Sequence, residues 1–488
     1  MEKGMPPYLL RLQAILFGPD RASARLALAL LCLAAALIVA GYVALLGPLY
    51  AAGGAIAIVG GVLLATSTQW GLYALIGISC ILPFATFPFK IGFTPSFLDA
   101  ALVMLFFVWI SRLATGRDRQ FVASPLGGVV ILFIGLALAS FARGLTHARP
   151  TPTILRDFIE IIMGISLFFV VLNNVRSMEQ VKGLMRVLLL AGFGAAAIGV
   201  AFYVIPEDWT VRVLNALGRL GYPGGYGALR YIEDDPSNPM RAIGTSVDPN
   251  VLGGLMILII GVTLPQITAR APLWPRWAVA VMLATEALCL YLTYSRGSMV
   301  GMAAALFLLG VLRYRRLIPL GVVGAGLLLL LPQAQAYVTH FIEGLRGQDL
   351  ATQMRFGEYK DALRLISEYP WFGVGFAGSP RIDLYIGVSS LYLLMAEEMG
   401  IIGLTVFLVA MAVFFVQVLT AWRSGMPDPI EAIVLGLAGA VAGGLVGGVF
   451  DHYLFNLVYP HMTSLFWLYL GLAMTVLHLT READSAPA

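Results

Sequence analysis

Apolar stretches separated by short polar connections run along the whole chain of 488 residues. Most are long enough for a membrane span, because a helix needs about 20 residues to cross roughly 30 Å of hydrocarbon. The pattern therefore predicts an all-α, polytopic membrane protein with about fourteen transmembrane helices. The predicted spans are residues 27–47, 51–67, 71–87, 97–113, 126–142, 155–175, 183–205, 249–268, 276–293, 298–312, 317–332, 391–417, 429–449 and 461–479.

The number of spans depends on the shortest stretches. If two of the predicted spans 51–67, 71–87 and 298–312 form one re-entrant element, the count falls to about twelve. The predicted domains are an N-terminal bundle of about seven helices (1–205), a first long loop (206–248), membrane helices (249–332), a large helical loop (333–390), C-terminal membrane helices (391–480) and a tail (481–488).

Composition agrees with a membrane protein and argues against several soluble classes. Hydrophobic residues make up 59% of the chain and charged residues 12%, which is about half the charged share of a soluble domain. The predicted cytoplasmic connections are short and no G-x-x-x-x-G-K-[ST] sequence occurs, so we expect no nucleotide-binding domain. Acidic and basic residues are nearly balanced in the long loops, so we expect no broad basic field and no nucleic-acid partner.

Positive residues set the predicted orientation, because Lys and Arg in short loops are retained in the cytoplasm. They place both termini in the cytoplasm and both long loops outside it. Arg143, Arg149 and Arg156 fall on the other side and oppose this assignment. The supporting residues are Arg11, Arg21, Arg25, Arg112, Arg117, Arg119, Arg176, Lys182, Arg186, Arg270, Arg276, Arg313, Arg315, Arg316, Arg423 and Arg481.

Metal and cofactor chemistry have little support in the sequence. The three cysteines fall in predicted spans and form no C-x-x-C pair, which indicates apolar packing. The five histidines form no H-E-x-x-H and no pair four residues apart, so we expect no metal and no cofactor. The G-x-G-x-x-G string at 373–378 lacks a preceding parallel strand, so we interpret it as a turn.

Ionisable residues inside predicted spans are candidates for a functional role, because charge is costly there. Arg156 is close enough in sequence to pair with Asp157 and Glu160. The sequence leaves open whether these residues are structural pairs or functional groups. The set consists of Asp99, Asp157, Glu160 and Glu286.

Polar motifs concentrate in and beside the two long loops. RAIGTSVDPN at 241–250 leads into a span, with Asp248 and Pro249 placed like a helix cap and first turn. YSRGS at 294–298 forms the next outer turn. The second loop carries RFGEY at 355–359, PWFGVG at 370–375 and SSLYL at 389–393, followed by EMGIIGL at 398–404.

One part of the second loop has the pattern of an amphipathic helix. Phe356, Tyr359, Leu363 and Ile366 recur at helical spacing and fall on one face. We therefore predict a helix that lies near the membrane surface.

Taken in order, these motifs resemble the bacterial O-antigen ligase and O-antigen polymerase superfamily of lipid-linked glycan transferases. The resemblance covers roughly residues 240–475 and implies a GT-C-like architecture. It also implies a multi-pass protein of the bacterial cytoplasmic membrane. Its substrate would be an oligosaccharide carried on undecaprenyl diphosphate and transferred to a hydroxyl at the outer face of that membrane. Arginine suits such a leaving group, because its planar fork binds phosphate oxygens. Arg241, Arg296 and Arg355 match the family's outer arginines and are expected to bind the diphosphate; further candidates are Arg364, Arg381, Tyr359 and Ser389.

One departure from the family concerns the catalytic base. Ligases of this family carry a His-Asn pair just before an L-x-x-x-x-E-x-G helix, and that His resembles their acceptor-activating base. Ser389 and Ser390 stand at these positions, and a serine hydroxyl titrates far too high to accept a proton at neutral pH. The candidate catalytic residues are instead Asp451 and His452, whose Asp-His-Tyr string resembles one in some polysaccharide polymerases, and Glu398, which either acts chemically or anchors the loop.

The missing histidine favours a polymerase over a ligase. A polymerase joins repeat units that are both lipid-linked, whereas a ligase transfers a finished chain to lipid A-core. O-antigen, capsule and exopolysaccharide are all compatible substrates. A lipid-linked oligosaccharide flippase, which would place binding groups near the midplane, and a non-catalytic assembly protein are the alternatives. Expected partners are the lipid-linked oligosaccharide, membrane lipids, a flippase and chain-length regulator proteins.

Overall fold

The structure is a computed structural model that describes residues 67–115, 121–315, 319, 350–378 and 387–485. These residues form helices joined by turns, and within them only two isolated bridges have strand pairing. The helices are α1 (Thr68–Ile81), α2 (Phe97–Ala114), α3 (Pro125–Gly144), α4 (Pro152–Asn174), α5 (Met178–Val204), α6 (Glu207–Leu217), α7 (Pro249–Thr268), α8 (Arg276–Leu292), α9 (Arg296–Leu312), α10 (Leu350–Glu368), α11 (Leu391–Arg423), α12 (Asp428–Gly447) and α13 (Pro460–Ser485).

The prediction of a polytopic membrane protein is confirmed. Seven of the described helices, α2, α3, α5, α7, α11, α12 and α13, are long and apolar enough to cross a membrane, and α1 and α9 are shorter apolar helices. Every predicted span within the described ranges coincides with a helix. Apart from Ser67 and Pro319, the predicted spans 27–47, 51–67 and 317–332 lie outside the described residues.

Helix boundaries follow from local sequence. Ser96 caps α2 with a reciprocal pair of hydrogen bonds to Asp99, and Asp248 caps α7 ahead of Pro249. The predicted span 71–87 is too long at its end: α1 stops at Ile81, two residues before Pro83. Proline disfavours helical backbone in the preceding residue, which explains the early end.

Small residues bring the central helices into close contact. A Cβ on Gly261 of α7 would lie 2.7 Å from Ala440 of α12, and one on Gly443 of α12 would lie 2.8 Å from the Gly301 carbonyl of α9. Such close approach is how membrane helices gain packing energy without a hydrophobic driving force between them. The glycines of α12 therefore serve as packing positions.

The helix ends gather on two faces. The loop face consists of residues 82–96, 145–151, 205–248, 293–295, 369–378, 387–390 and 448–459. Backbone hydrogen bonds join its segments, from Thr86 N–H to the Leu220 carbonyl (2.8 Å) and from Ala242 N–H to the Leu292 carbonyl (2.8 Å). On the opposite face, the Arg270 N–H donates to Asp428 (2.6 Å), and Arg313 pairs with Asp428 and Glu431.

Charged residues of α2 and α4 form one ion-pair network, in which Glu160 is buried and the other members are partly exposed. Arg156 contacts Asp99 (3.0 Å), Asp157 (3.5 Å) and Glu160 (2.9 Å), and Ser96 donates to Glu160 (3.0 Å). Structural pairing is therefore confirmed for these three acids. The network also explains why Arg156 opposes the predicted orientation, because its charge is neutralised by carboxylates rather than exposed in a loop.

Helix α11 is broken near its start. Gly400 has φ +70° and ψ −178°, a conformation open to glycine alone. Residues 370–376, here called the strap, fill the break: Val374 N–H donates to the Glu397 carbonyl (2.7 Å), and Ile401 N–H donates to the Pro370 carbonyl (2.7 Å). Backbone groups freed by the break are thus satisfied by the strap. Positive φ values at Gly373 and Gly375 confirm the predicted turn.

Candidate active site

Arg241 is fixed beside the turn between α8 and α9. Its Nε donates to the Thr293 carbonyl (2.8 Å) and its Nη2 donates to Asn250 Oδ1 (2.8 Å). Tyr294, at φ +52°, turns the chain sharply before Arg296 begins α9. Two of the three predicted diphosphate-binding arginines are therefore attached to the same short turn of the loop face.

Asp248 caps the helix that carries Asn250, the hydrogen-bond partner of Arg241. Its Oδ1 accepts the N–H groups of Asn250 (2.7 Å) and Val251 (3.0 Å) at the start of α7. The preceding Val247 has φ +57°, which is strained for a β-branched residue. Such strain persists where the surrounding structure fixes the backbone, and it is commonly found at functional sites.

Asp451 and His452 lie in the turn between α12 and α13. The Asp451 carbonyl accepts the Leu391 N–H at 3.0 Å, which attaches this turn to the start of α11. Asp451 Oδ1 accepts the His452 backbone N–H at 2.7 Å, whereas the imidazole Nδ1 lies 3.7 Å from that oxygen. This distance is too long for a hydrogen bond. The geometry therefore does not support a role for the Asp451 carboxylate in orienting the His452 imidazole.

The electrostatic surroundings of Asp451 favour a basic carboxylate. Burial raises the pKa of this carboxyl group, and the negative charge of Asp248 raises it further. His452 and Arg355 oppose the increase without cancelling it. A carboxylate with a raised pKa is a stronger base and remains useful as a proton acceptor near neutral pH.

Packing brings the start of α9 close to the turn between α12 and α13. A Cβ on Gly297 would lie 2.7 Å from Cβ of Phe450. The residue after Arg296 thus packs directly against the residue before Asp451. The absence of a side chain at Gly297 allows the two turns to approach.

Helix α10 brings Arg355 to the same region. Arg355 lies close enough to Asp451 and Tyr359 to influence the pKa of both side chains. Tyr359 Oη donates to the Ser389 carbonyl at 3.5 Å, and Ser389 N–H donates to Glu358 Oε2 at 3.0 Å. The backbone of Ser389 therefore attaches α10 to the segment that precedes α11.

Other predicted site residues lie apart from this cluster. Glu398 is buried, and its carbonyl accepts hydrogen bonds from Gly375 N–H (3.0 Å) and the Ser140 hydroxyl. The anchoring interpretation of Glu398 is thus supported through its backbone. Arg364 is exposed and lies 3.5 Å from Glu368. Arg381 lies outside the described residues.

Three contributing residues are not identifiable as site candidates from the sequence. Asn250 binds Arg241, and Asp248 lies beside Asp451; both belong to the 241–250 motif, whose pattern indicates a helix cap alone. Ser140 donates to the Phe372 carbonyl (3.0 Å) and the Glu398 carbonyl, which ties α3 to the strap and α11. A lone serine inside an apolar span gives no sequence signal for that role.

The described residues contain no group of three or more His, Cys, Asp or Glu side chains arranged to hold a metal ion. They contain two arginines at one turn, a third on α10, and the partly exposed Asp451 carboxylate within electrostatic reach of that third arginine. The fold is that of a polytopic membrane protein, and this cluster brings arginine side chains and a carboxylate to the loop face.

Comparison with known families gives a specific assignment. Residues 278–408 match the family model described as O-antigen ligase, a segment that includes Arg296, Arg355, Ser389 and Glu398. The match confirms the resemblance to the O-antigen ligase and polymerase superfamily and supports an enzyme of the glycosyltransferase type. Arg241 and Asp451 lie outside the matched residues. No curated protein matches the chain.

Proposed function

We propose that this protein is a polysaccharide polymerase. It transfers an oligosaccharide from undecaprenyl diphosphate to the terminal sugar hydroxyl of a second lipid-linked repeat unit. The acceptor oxygen attacks the anomeric carbon, the bond from that carbon to the phosphate oxygen breaks, and undecaprenyl diphosphate leaves. The hydroxyl proton passes to the Asp451 carboxylate.

The observation that carries this proposal is the meeting of arginines and a carboxylate on the loop face. Arg241 and Arg296 adjoin one turn, and Arg355 lies within electrostatic reach of Asp451. Arginines placed where a diphosphate leaves stabilise its developing charge, and electrostatic stabilisation of this type usually contributes more to catalysis than any other single effect. Asp451 supplies the base that Ser389 lacks.

The geometry favours Asp451 over the other two candidates for the base. His452 Nδ1 lies beyond hydrogen-bond distance of a carboxylate that would orient it. Glu398 is buried, and its carbonyl is bonded to the strap and to Ser140. Asp451 lies next to Asp248 and Arg355, with 13% of its side chain exposed, so an acceptor hydroxyl has a partly open approach.

The serine at the ligase histidine position supports polymerase over ligase. The Ser389 N–H and carbonyl are engaged by Glu358 and Tyr359, so this residue fixes the start of α11. A polymerase of O-antigen, capsule or exopolysaccharide with a carboxylate base fits this arrangement. A ligase that transfers glycan to lipid A-core is the second candidate, and the family match favours it by name.

The membrane setting completes the proposal. About fourteen spans in a GT-C-like arrangement embed the chain in the bacterial cytoplasmic membrane, with both termini in the cytoplasm and the loop face outside. Arg270 and Arg313 support this orientation, because they lie together on the opposite face. A flippase that delivers the repeat unit and a chain-length regulator are the expected protein partners.

A reconstitution experiment tests the function. Purified protein in liposomes receives undecaprenyl-diphosphate repeat units and no other acceptor, and the products are separated by glycan length. A ladder of longer glycans is expected from the wild type and is expected to be absent from Asp451→Asn. Growth only after lipid A-core is added would indicate a ligase, and movement of intact substrate across the bilayer without bond formation would indicate a flippase.

A further inference from the structure

Helix α10 presents an apolar and basic surface that the rest of the described protein does not cover. Tyr359, Ala362 and Leu365 turn inward and pack against the protein. The opposite side exposes Phe356 (59%) and Leu363 (58%). We call the exposed set the outer face of α10; it comprises Phe356, Lys360, Leu363 and Arg364 together with the neighbouring Trp371 of the strap.

This finding changes the predicted amphipathic pattern. Phe356 and Leu363 point away from the protein, but Tyr359 contacts Ser389 and the core of the loop domain. The predicted apolar face is thus divided between two environments. Within the described structure, only the part that carries Phe356 and Leu363 is exposed and available to contact lipid.

The break in α11 fixes the height of this face relative to the membrane. Residues 401–423 form an unbroken helix of roughly 35 Å, which crosses the hydrocarbon alone. The span therefore begins near Gly400. The Trp371 carbonyl accepts the Ile402 N–H at 3.4 Å, and a Cβ on Gly400 would lie 2.2 Å from that carbonyl. Trp371 is thus held at the level where the span enters the lipid.

Charge and side-chain type agree with that level. Trp371 is 65% exposed, and tryptophan is enriched where hydrocarbon meets headgroups. Lys360 and Arg364 lie on the same side as Phe356 and Leu363, and long basic side chains extend their charge to phosphate while their stems cover apolar surface. A basic apolar face at this height complements the phosphates and chain ends of a lipid layer.

We propose that the outer face of α10 is embedded in the lipid headgroup layer on the loop side of the membrane. The occupant is the bilayer itself, and the attachment does not depend on the enzymatic activity. Arg355 lies on the same helix, one residue before the embedded Phe356. A lipid-linked diphosphate at headgroup height thus reaches Arg355 sideways, without leaving the membrane.

Spin-label depth measurements test this attachment in lipid nanodiscs. Single cysteines replace Phe356 and Leu363 in full-length protein whose three native cysteines have been changed to alanine. Val409→Cys on the lipid-facing side of α11 and Ser237→Cys at an exposed loop position are the matched references. We expect the ratio of oxygen to nickel-chelate accessibility at both test sites to be clearly higher than at Ser237→Cys and lower than at Val409→Cys, because the headgroup layer lies between water and the hydrocarbon core.

A second measurement leaves the native cysteines in place. Brominated lipids should quench the fluorescence component that the Trp371→Phe substitution removes. Accessibility to the aqueous chelate equal to that of Ser237→Cys, or protection of Phe356 and Leu363 from both reagents by a second copy or another protein, would overturn the proposal. The proposal would also be overturned if brominated lipids did not quench the fluorescence that Trp371 contributes.

Discussion

Replacing Arg355 by alanine should lower the rate of glycan transfer by about 100- to 1,000-fold, corresponding to roughly 2.7–4 kcal/mol of transition-state stabilisation. Arg355 faces Asp451 and Tyr359 on the side of α10 that packs on the protein. Its loss should therefore act on the chemical step rather than on the fold.

The magnitude follows from the surroundings of the side chain. Two unit charges about 4 Å apart interact by roughly 1 kcal/mol in water and roughly 4 kcal/mol near a protein surface, where the effective dielectric constant is about 20. Arg355 is half-buried, so the contact with a leaving phosphate belongs near the upper value. Arg355→Lys should fall between the wild type and alanine, because it keeps the charge and loses the planar fork.

The assay measures initial rates of glycan elongation by each variant in liposomes. Thermal unfolding and size-exclusion profiles establish that each variant is folded. Arg230→Ala is the matched control, because Arg230 is an exposed arginine of the same face whose Nη1 donates to the Gly227 carbonyl at 3.4 Å. A correctly folded Arg355→Ala protein that keeps more than a third of the wild-type rate would refute the diphosphate argument.

Three further predictions concern the base Asp451, the helix break at Gly400 and the ion-pair network of Arg156. Asp451→Asn should abolish glycan elongation, and an unchanged rate in this variant would exclude Asp451 as the base. The wild-type rate should fall with acidification around a midpoint above the ordinary aspartate pKa, because burial raises the pKa of Asp451 and only its deprotonated form accepts a proton. Gly400→Ala should lower the free energy of unfolding by about 1–3 kcal/mol or more in thermal unfolding, since its Cβ would clash with the Trp371 carbonyl. Gly357→Ala on α10, which has nothing within 4 Å of the added Cβ, should be neutral or stabilising. Equal effects of the two substitutions would contradict the packing of the strap against Gly400. Arg156→Ala should cost about 1–3 kcal/mol in denaturant unfolding, because three carboxylates lose their shared cation while Ser96 still bonds Asp99 and Glu160. An unchanged midpoint would show that the network carries no stability.

The helices were predictable because membrane spans are set by local composition. Every predicted span within the described ranges became a helix, and caps such as Asp248 before Pro249 marked the boundaries. The break at Gly400 was not predictable, because the strap that fills it lies in a different segment and Ser140 contacts it across 232 positions. Contacts at that separation leave no periodic trace in the sequence.

The site was predictable in its location and only partly in its members. The predicted topology put Arg241, Arg296 and Arg355 on one side of the membrane, but periodicity does not tell which side of α10 faces the protein. The resemblance to the family put Arg355 ahead of Arg364, and the helical pattern alone does not show that Arg355 lies near Asp451 while Arg364 is exposed. The proximity of Asp248 to Asp451 depends on how two distant turns pack, which the sequence does not record.

Glycan transfer from undecaprenyl diphosphate is tested most directly by counting the leaving group. Purified wild-type protein is incubated with radiolabelled undecaprenyl-diphosphate repeat units, and released undecaprenyl diphosphate is compared with newly formed glycosidic bonds. We expect one released undecaprenyl diphosphate for each new glycosidic bond. Both products should be reduced together in Arg355→Ala and absent in Asp451→Asn. Glycan growth without release of the carrier, or release without any new bond, would contradict it.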